Sequence, residues 1–377
     1  MGYIRRAFLV EKQDSSLVQV MRDAGAIPFV KTSMPIAGGA DTSSPLWGQA
    51  LNPLDKRRTP GGSSGGEAGM LAGGCSPLGF GTDLFGSIRY PAAACGIVGL
   101  TPSEQRISCT RKLGIYTKEN LPASSLFGGV AGPLARRVDD LVVAMRIICS
   151  ERAYKIDPYA LPLPWREDSF SSTRKLRIGY FCGDQYISAS VPAERALGEA
   201  LDILRDKGHE VVPFVLPVNV MEVIRYSMRI SQMDNFELQV ESLEGEIVPK
   251  FHEGTVRSSF ASQDDLKKEK AKLLKAGEER MALIVNTKQG GLQYLENGVA
   301  LQKFVDKWHT AVDELELDAI VSTALVAPAP LLPLRSADGR LLFSLGICNM
   351  LGIPSGTVPV TTISEKEAAA AEEYKDA

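Results

Sequence analysis

The spacing of apolar and polar residues predicts a chain in which helices and strands alternate. Apolar residues recur every three or four positions over residues 136–150, which predicts a helix there. A strand over 176–181, a helix over 191–207 and a second strand over 210–215 follow further along the chain. Two strands joined by a helix at this spacing favour α/β layering with a partly parallel sheet.

The same patterns predict several further elements. Helices are expected over residues 15–24, 264–286 and 300–316, and strands over 26–31, 318–323 and 355–362. Residues 364–377 are rich in Glu, Ala and Lys, and we expect them to form a solvated tail.

Residues 61–103 differ in composition from the rest of the chain, with 12 glycines among 43 positions. Flexible linkers also concentrate glycine, but they lack large apolar side chains. Here large apolar residues interrupt the glycines throughout, among them Met70, Leu71, Phe80, Ile88 and Leu100. The composition therefore predicts a packed segment whose backbone turns tightly, not a tether.

Composition and charge argue against several classes of function. The chain has 377 residues, 44% of them hydrophobic, and its formal net charge of −3 gives no basic surplus for binding nucleic acid. Its six cysteines form no CxxC pair, and the three histidines lie far from them in sequence. This pattern favours free or buried thiols in a reducing compartment over a metal site. No cofactor and no metal are expected.

Two serines in glycine-rich turns, Ser63 and Ser87, carry the clearest chemical signal. Glycines around each serine allow sharp bends that leave backbone N–H groups directed into a common space. Such turns supply what acyl transfer needs, a nucleophilic hydroxyl and N–H donors that stabilise the oxyanion.

Three other interpretations stay open on the residues alone. Gly61-Gly-Ser63-Ser-Gly65 formally satisfies the GxSxG elbow of α/β-hydrolases, although no histidine stands in a short motif downstream. A phosphate-binding loop is a weaker alternative, because the sequence contains no GxxxxGK[ST] motif. Both glycine runs are also compatible with purely structural turns.

Residues 61–102 resemble the signature region of the amidase signature family. The matching motifs include Ser63-Ser64-Gly-Gly-Glu67, Gly81-Thr-Asp83 and Gly86-Ser-Ile-Arg89. They are most similar to the fatty-acid amide hydrolase branch, and the likeness extends to residues 25–30, 45–49 and 358–362. The resemblance implies an α/β fold with a mixed central β-sheet surrounded by helices, incomplete here. It also implies a serine hydrolase that cleaves linear carboxamides, with fatty-acid amides as small-molecule substrates.

The resemblance further implies catalytic roles within this block. Ser87 would be the nucleophile that forms the acyl-enzyme. Ser63 would be the bridging serine, preceded by a cis peptide bond from Gly62. The oxyanion hole would consist of the N–H groups of four consecutive residues, Leu84, Phe85, Gly86 and Ser87.

Supporting roles are implied for the neighbours of the two serines, namely Gly62, Ser64, Asp83 and Arg89. Asp83 and Arg89 have the signs and spacing for an ion pair that supports the turn between them. Phe85 stands where the family usually has the second glycine of a pair, and this departure would narrow the site or alter the backbone there.

The lysine of the family's Ser–Ser–Lys triad has no counterpart in this sequence. Lys12, Lys31 and Lys56 are the only lysines before Ser63, and none stands in a matching motif. In the family this amine is the base that takes the proton relayed through the bridging serine. We therefore expect residues 1–377 to be a single amidase signature domain that lacks its N-terminal and C-terminal portions.

Two alternative functions follow from the missing lysine and from the family's range. The chain could be a catalytically inactive paralogue or fragment with a binding or regulatory role. It could also be a glutamine-dependent amidotransferase subunit, although the motifs around Ser63 and at residues 358–362 favour the fatty-acid branch.

The sequence also bears on location and partners. It shows no signal peptide and no apolar stretch of membrane-spanning length, so the chain as written is expected to be soluble and intracellular. Membrane association is expected only if a missing N-terminal segment carries an anchor. Peripheral membrane contact is implied for the full-length family, but the charged residues 264–280 do not support it here. A homodimer is left open as an assembly, and no nucleic-acid partner is expected.

Overall fold

The computed structural model describes residues 2–4, 7–8, 10, 12–36, 38–107, 129–157, 159–183, 188–231, 246, 263–275, 290–334 and 343–372. Among these residues the helices are α1 (Ser16–Asp23), α2 (Gly65–Ala72), α3 (Arg89–Ala94), α4 (Val138–Ile148), α5 (Glu151–Ile156), α6 (Glu167–Phe170), α7 (Val191–Asp206), α8 (Val220–Ser231), α9 (Gln263–Lys275), α10 (Gly291–Glu314), α11 (Phe343–Leu351) and α12 (Glu365–Glu372). The strands are β1 (Ser43–Ser44), β2 (Gly48–Gln49), β3 (Leu78–Asp83), β4 (Val98–Thr101), β5 (Val130–Ala135), β6 (Arg177–Phe181), β7 (Glu210–Pro213), β8 (Ala319–Ser322) and β9 (Ser355–Thr357).

The glycine-rich block folds into two short helices and two strands of an antiparallel sheet. The four strands of this sheet lie in the order β3-β5-β4-β9. β3 and β5 pair along their whole length, from Leu78 opposite Ala135 to Asp83 opposite Val130. Three apolar side chains fill the space between the sheet and helices α2 and α3, and all are fully buried: Leu71, Ile88 and Leu134. The predicted packed segment is therefore confirmed.

A second sheet is parallel and contains the predicted strand–helix–strand unit. Its strands lie in the order β7-β6-β8, and β6 pairs in parallel with both neighbours. Helix α7 connects β6 to β7, as the pattern over residues 176–215 predicted. The α/β class is thus confirmed. In the described residues the expected mixed sheet is divided, since the parallel pairings lie in β7-β6-β8 and the antiparallel ones in β3-β5-β4-β9 and in the two-stranded β1-β2 sheet.

The apolar core beside the parallel sheet is rich in aromatic side chains. Phe214 and Trp308 meet edge to face with their ring centroids 5.2 Å apart, and Phe304 lies 6.3 Å from Trp308. Helices α8, α10 and α11 enclose these rings. Edge-to-face pairs of this kind stabilise a core beyond the area that they bury.

Helix α4 follows directly from its sequence. Four of its apolar side chains recur on one face and are buried: Leu141, Val142, Met145 and Ile148. Two acidic residues, Asp139 and Asp140, lie in the first turn, where they stabilise the positive end of the helix dipole. The helix predicted over residues 136–150 is confirmed, with ends two residues shorter on each side.

Two strand predictions were wrong in whole or in part. Residues 26–31 are extended but pair with no other strand of the described residues, and Ile27 and Phe29 are 84% and 63% exposed. The second, predicted over residues 355–362, is confirmed only as β9, which pairs with β4 and ends at Thr357. An apolar, β-branched pattern predicts a strand only where a neighbour supplies the hydrogen bonds.

Two helix predictions are confirmed with different bounds. The helix predicted over residues 300–316 begins earlier, since α10 starts at Gly291. The charged helix predicted over residues 264–286 is present as α9 up to Lys275, and its remainder lies outside the described residues. Five of the six cysteines are free thiols, and Cys109 lies outside the described residues.

The C-terminal segment is not simply a solvated tail, because residues 365–372 form helix α12. Arg195 of α7 binds this helix through two hydrogen bonds to the Glu367 carboxylate, of 2.8 and 3.0 Å. The Ser364 hydroxyl and N–H donate to the same carboxylate. The hydrogen bonds from Arg195, followed by those from Ser364, hold the pKa of Glu367 at about 2. The predicted tail therefore docks on α7 through one ion pair.

Replacing Glu367 with Gln should release α12 from α7 without unfolding the core. We expect trypsin to cleave after the exposed Lys366 faster in Glu367→Gln than in the parent, because cleavage requires local opening of the helix. Limited proteolysis followed by mass spectrometry measures this rate. Glu365→Gln on the same helix is the matched control, and equal cleavage of both variants would contradict the docking role of Arg195.

Candidate active site

Ser87 lies in the turn that joins the end of β3 to the start of α3. The carboxylate of Asp83 fastens this turn from inside: Oδ1 accepts the Gly86 N–H at 2.7 Å, and Oδ2 accepts the Ile88 N–H at 3.0 Å. Gly86 has a φ of +112°, a conformation that side chains other than glycine rarely adopt. The two hydrogen bonds flank Ser87 and fix the backbone on both of its sides.

Asp83 and Arg89 form the ion pair that the resemblance implied. Arg89 Nη2 lies 2.8 Å from Asp83 Oδ1, and Nε lies 3.0 Å from Oδ2. Asp83 is fully buried and Arg89 is 1% exposed. Thr101 of β4 and Asn349 of α11 also donate to the Asp83 carboxylate, at 3.0 and 3.1 Å. The pair is therefore bidentate and fully enclosed, not a solvated surface contact.

The charge on Asp83 survives burial because its partners outweigh the loss of water. Burial alone would raise its pKa, but the Arg89 guanidinium and the N–H donors of the turn lower it to about 2. Arg89 also donates to the Leu345 carbonyl oxygen at 2.6 Å and to the Asn349 side-chain oxygen. Helix α11, more than 250 residues away in sequence, thus helps to hold the Ser87 turn.

The Ser63 turn lies directly against the Ser87 turn. The Ser64 N–H donates to the Ser87 carbonyl oxygen at 3.2 Å, which joins the two turns through one hydrogen bond. The peptide bond between Gly62 and Ser63 is cis. Ser63 is 5% exposed, whereas Ser87 is only half-buried. The structure therefore brings the two serine-containing turns together and leaves Ser87 more accessible than Ser63.

The four N–H groups predicted to form an oxyanion hole lie in this same turn. That of Gly86 already donates to Asp83, so a bound oxyanion would share this donor with a carboxylate. The Phe85 ring packs on α11 at Gly346, where a Cβ atom would lie 2.9 Å from Phe85 Cδ1. Leu84 and Phe85 both contact the aromatic core around Trp308. The oxyanion hole itself stays a prediction.

The lysines upstream of Ser63 are not part of this arrangement. Lys12, Lys31 and Lys56 are all exposed. Within the described residues, no hydrogen bond joins any of them to either serine. The described residues also contain no group of three or more His, Cys, Asp or Glu side chains that could hold a metal ion.

Three polar residues that support the site have no role that the sequence predicts: Thr42, Glu67 and Asn349. Glu67 lies in α2, where its carboxylate accepts the Thr32 hydroxyl at 2.8 Å, and burial raises its pKa. Its place in the Ser63–Glu67 motif was the only signal available. Asn349 stands in an apolar helical segment with no motif, so only the three-dimensional structure identifies it.

Comparison with known proteins identifies the family of this chain. The family model described as Amidase matches residues 1–376. The chain belongs to this family. A pig protein named fatty-acid amide hydrolase 1 is 34% identical over 377 residues, which cover 96% of this chain and 62% of the relative. A chicken protein named vitamin D3 hydroxylase-associated protein is 40% identical over 248 residues, covering 66% of this chain and 52% of the relative.

A solved structure of a fatty acid amide hydrolase has the same fold. Its TM-score is 0.77 at 23% sequence identity, and the likeness covers 100% of this chain and 61% of that one. The amidase-family chain thus spans about half to two thirds of the length of these relatives. Among the described residues, no helix combines the length and the apolar character needed to cross a bilayer.

Removing the Asp83 charge should destabilise the protein strongly. Asp83→Asn leaves the Arg89 charge buried without its counter-ion, which costs about 3–5 kcal/mol of unfolding free energy. Urea unfolding followed by tryptophan fluorescence measures the loss. Because folding lowers the Asp83 pKa, its stabilisation is complete above the unfolded carboxyl pKa and is lost as pH falls towards 2. The difference between variant and parent should therefore shrink on acidification.

Asp55→Asn is the matched control for this prediction. The pKa of Asp55 is also lowered to about 2, chiefly by hydrogen bonds from Arg57, but its side chain is partly exposed. Exposed ion pairs contribute little to stability, so this variant should unfold at nearly the parent urea concentration. Equal losses in the two variants would show that burial of the Asp83–Arg89 pair is not the cause.

Proposed function

We propose that this chain is a serine hydrolase that cleaves linear carboxamides through an acyl-enzyme on Ser87, with Ser63 as the bridging serine. The observation that supports it most directly is the hydrogen bond from the Ser64 N–H to the Ser87 carbonyl oxygen. It holds the two serine turns side by side, which a relay between their hydroxyls requires. The partial exposure of Ser87 gives a substrate carbonyl access to its hydroxyl.

In the proposed reaction, the Ser87 Oγ attacks the amide carbonyl carbon, and the carbonyl π electrons move to the oxygen. Backbone N–H groups of Leu84, Phe85 and Ser87, and the shared one of Gly86, would stabilise this oxyanion. The Ser87 proton passes through Ser63 to a base and from there to the departing amine nitrogen, as the C–N bond breaks. Water then hydrolyses the ester on Ser87, releasing a carboxylic acid and restoring the hydroxyl.

Fatty-acid amides are the substrate class that we propose. The support is the 34% identity to a pig protein whose name states that it hydrolyses fatty-acid amides. Leu84 and Phe85, the residues before Gly86 and Ser87, contact an apolar core. These two side chains form an apolar flank of the turn. Binding of an alkyl chain there would be stabilised by burial of its methylene groups.

A catalytically silent relative is the competing proposal. It is favoured by the exposure of Lys12, Lys31 and Lys56, none of which forms a hydrogen bond with Ser63 or Ser87 in the described part of the chain. Without a base the Ser87 hydroxyl keeps the low reactivity of an alcohol. In that case the apolar flank and the two serine turns would bind an amide without cleaving it.

A fluorophosphonate probe tests the nucleophile directly, because attack by a serine oxygen forms a P–O bond and expels fluoride. We expect the purified chain to be labelled at Ser87, and Ser87→Ala to abolish the labelling. Ser76→Ala is the matched control within the same block, since this buried hydroxyl donates to the Leu78 carbonyl oxygen and not to either turn. Mass spectrometry of the labelled peptide identifies the modified residue.

Substrate turnover separates the two proposals. Release of ammonia from a long-chain primary fatty-acid amide by the parent, lost in Ser87→Ala, would establish the hydrolase. Labelling that survives Ser87→Ala would refute the nucleophile assignment. Binding of the amide without either labelling or turnover would favour the silent relative.

A further inference from the structure

The backbone around Ser63 is held by a hydroxyl from outside the matched signature region. Thr42 is fully buried, and its Oγ1 donates to the Gly61 carbonyl oxygen at 2.9 Å. The same oxygen accepts the Gly65 N–H at 3.1 Å. One side chain thus connects the residues two before and two after Ser63, across the Gly62–Ser63 peptide bond.

This contact supplies what the start of helix α2 otherwise lacks. The first N–H groups of a helix have no partner within it, and a side chain at the N-cap usually accepts one. Here the N-cap residue, Ser64, makes no such hydrogen bond through its side chain. Thr42 takes over this role for Gly65, so the Ser64 side chain is not needed for capping.

Neighbours of Thr42 complete the support on the other side of the turn. The Thr59 hydroxyl accepts the Gly61 N–H at 3.0 Å and donates to the Asp41 carboxylate at 3.1 Å. The backbone before Asp41 packs closely against Gly62. A Cβ atom on Gly62 would lie only 2.5 Å from the Gly39 carbonyl oxygen. Residues 39–42 and the Ser63 turn therefore form one tightly packed unit.

We infer that Thr42 is a positioning residue for the bridging serine, acting through the Gly61 carbonyl and Gly65 N–H groups that flank Ser63. As a statement about catalysis, this rests on the hydrolase proposed above. The rate of a proton relay depends strongly on the positions of its groups, since displacement of a reacting group by about 1 Å can lower the rate about a hundredfold. A neutral hydroxyl on backbone groups supplies this precision without adding a charge beside Ser63.

Two substitutions at Thr42 separate its hydroxyl from its bulk. Thr42→Val keeps the branched shape and removes the hydroxyl, whereas Thr42→Ser keeps the hydroxyl and loses only a methyl group. We expect Thr42→Val to lower the rate of fluorophosphonate labelling and the kcat for amide cleavage by about tenfold or more, with little change in KM. Thr42→Ser should restore both rates to near the parent values.

Thr323→Val controls for the general cost of losing one threonine hydroxyl. Thr323 follows β8 in the parallel sheet, and its hydroxyl accepts the Gly183 N–H at 3.3 Å. We expect this variant to label at the parent rate. A Thr42→Val protein that is folded and labels as fast as the parent would overturn the inference, as would equal losses in Thr42→Val and Thr42→Ser.

Amide hydrogen exchange tests the inference even if the chain proves catalytically silent. In Thr42→Val the Gly65 N–H loses its acceptor, so its exchange should accelerate about tenfold, the effect of roughly one net hydrogen bond. The Gly61 N–H, held by Thr59, should change less and serves as the internal reference. Unchanged Gly65 exchange would refute the positioning role, whereas absent labelling of the parent alone would refute only the proposed hydrolase.

Discussion

The Asp83 carboxylate is the constraint on which the geometry of the Ser87 turn depends. It has no access to water and accepts hydrogen bonds from the backbone of its own turn, from Arg89, from Thr101 and from Asn349. A buried charge is tolerable only when each of its lone pairs has a partner. Many of those partners belong to the turn itself. A change in the shape of the turn would therefore leave the buried carboxylate without some of its hydrogen-bond donors.

The same network makes the site depend on distant parts of the chain. Asn349 and Leu345 of α11 bind Arg89, and the Phe85 ring fits against Gly346 on the same helix. These contacts join the end of the antiparallel sheet to the aromatic core beside the parallel sheet. The Ser87 turn therefore has all of its supporting contacts only when the antiparallel sheet and the aromatic core are packed together.

The two serine turns could be predicted from the sequence, whereas the distant residues that support them could not, and the reason is physical. Glycines at fixed offsets around Ser63 and Ser87 reflect the local conformation of the backbone, so the tight turns can be predicted from one short segment. Thr42 and Asn349 act through tertiary contacts, and a lone threonine or asparagine in an ordinary segment carries no local signal. Residues 26–31 show the opposite failure, because a strong local strand pattern has no hydrogen-bonding neighbour among the described residues.

The two serine turns are supported by different kinds of interaction, and this difference has a consequence for pH dependence. The Ser87 turn relies on a charged pair whose carboxylate stays ionised until the pH approaches about 2, since its pKa is lowered that far. The Ser63 turn relies on the neutral hydroxyls of Thr42 and Thr59, which do not titrate in this range. Neither support changes between pH 5 and 9 on this basis. In the proposed hydrolase, a change of reactivity within that interval would therefore come from groups outside these two supports, such as the base that takes the proton from the serines or Glu67, whose pKa is raised by burial.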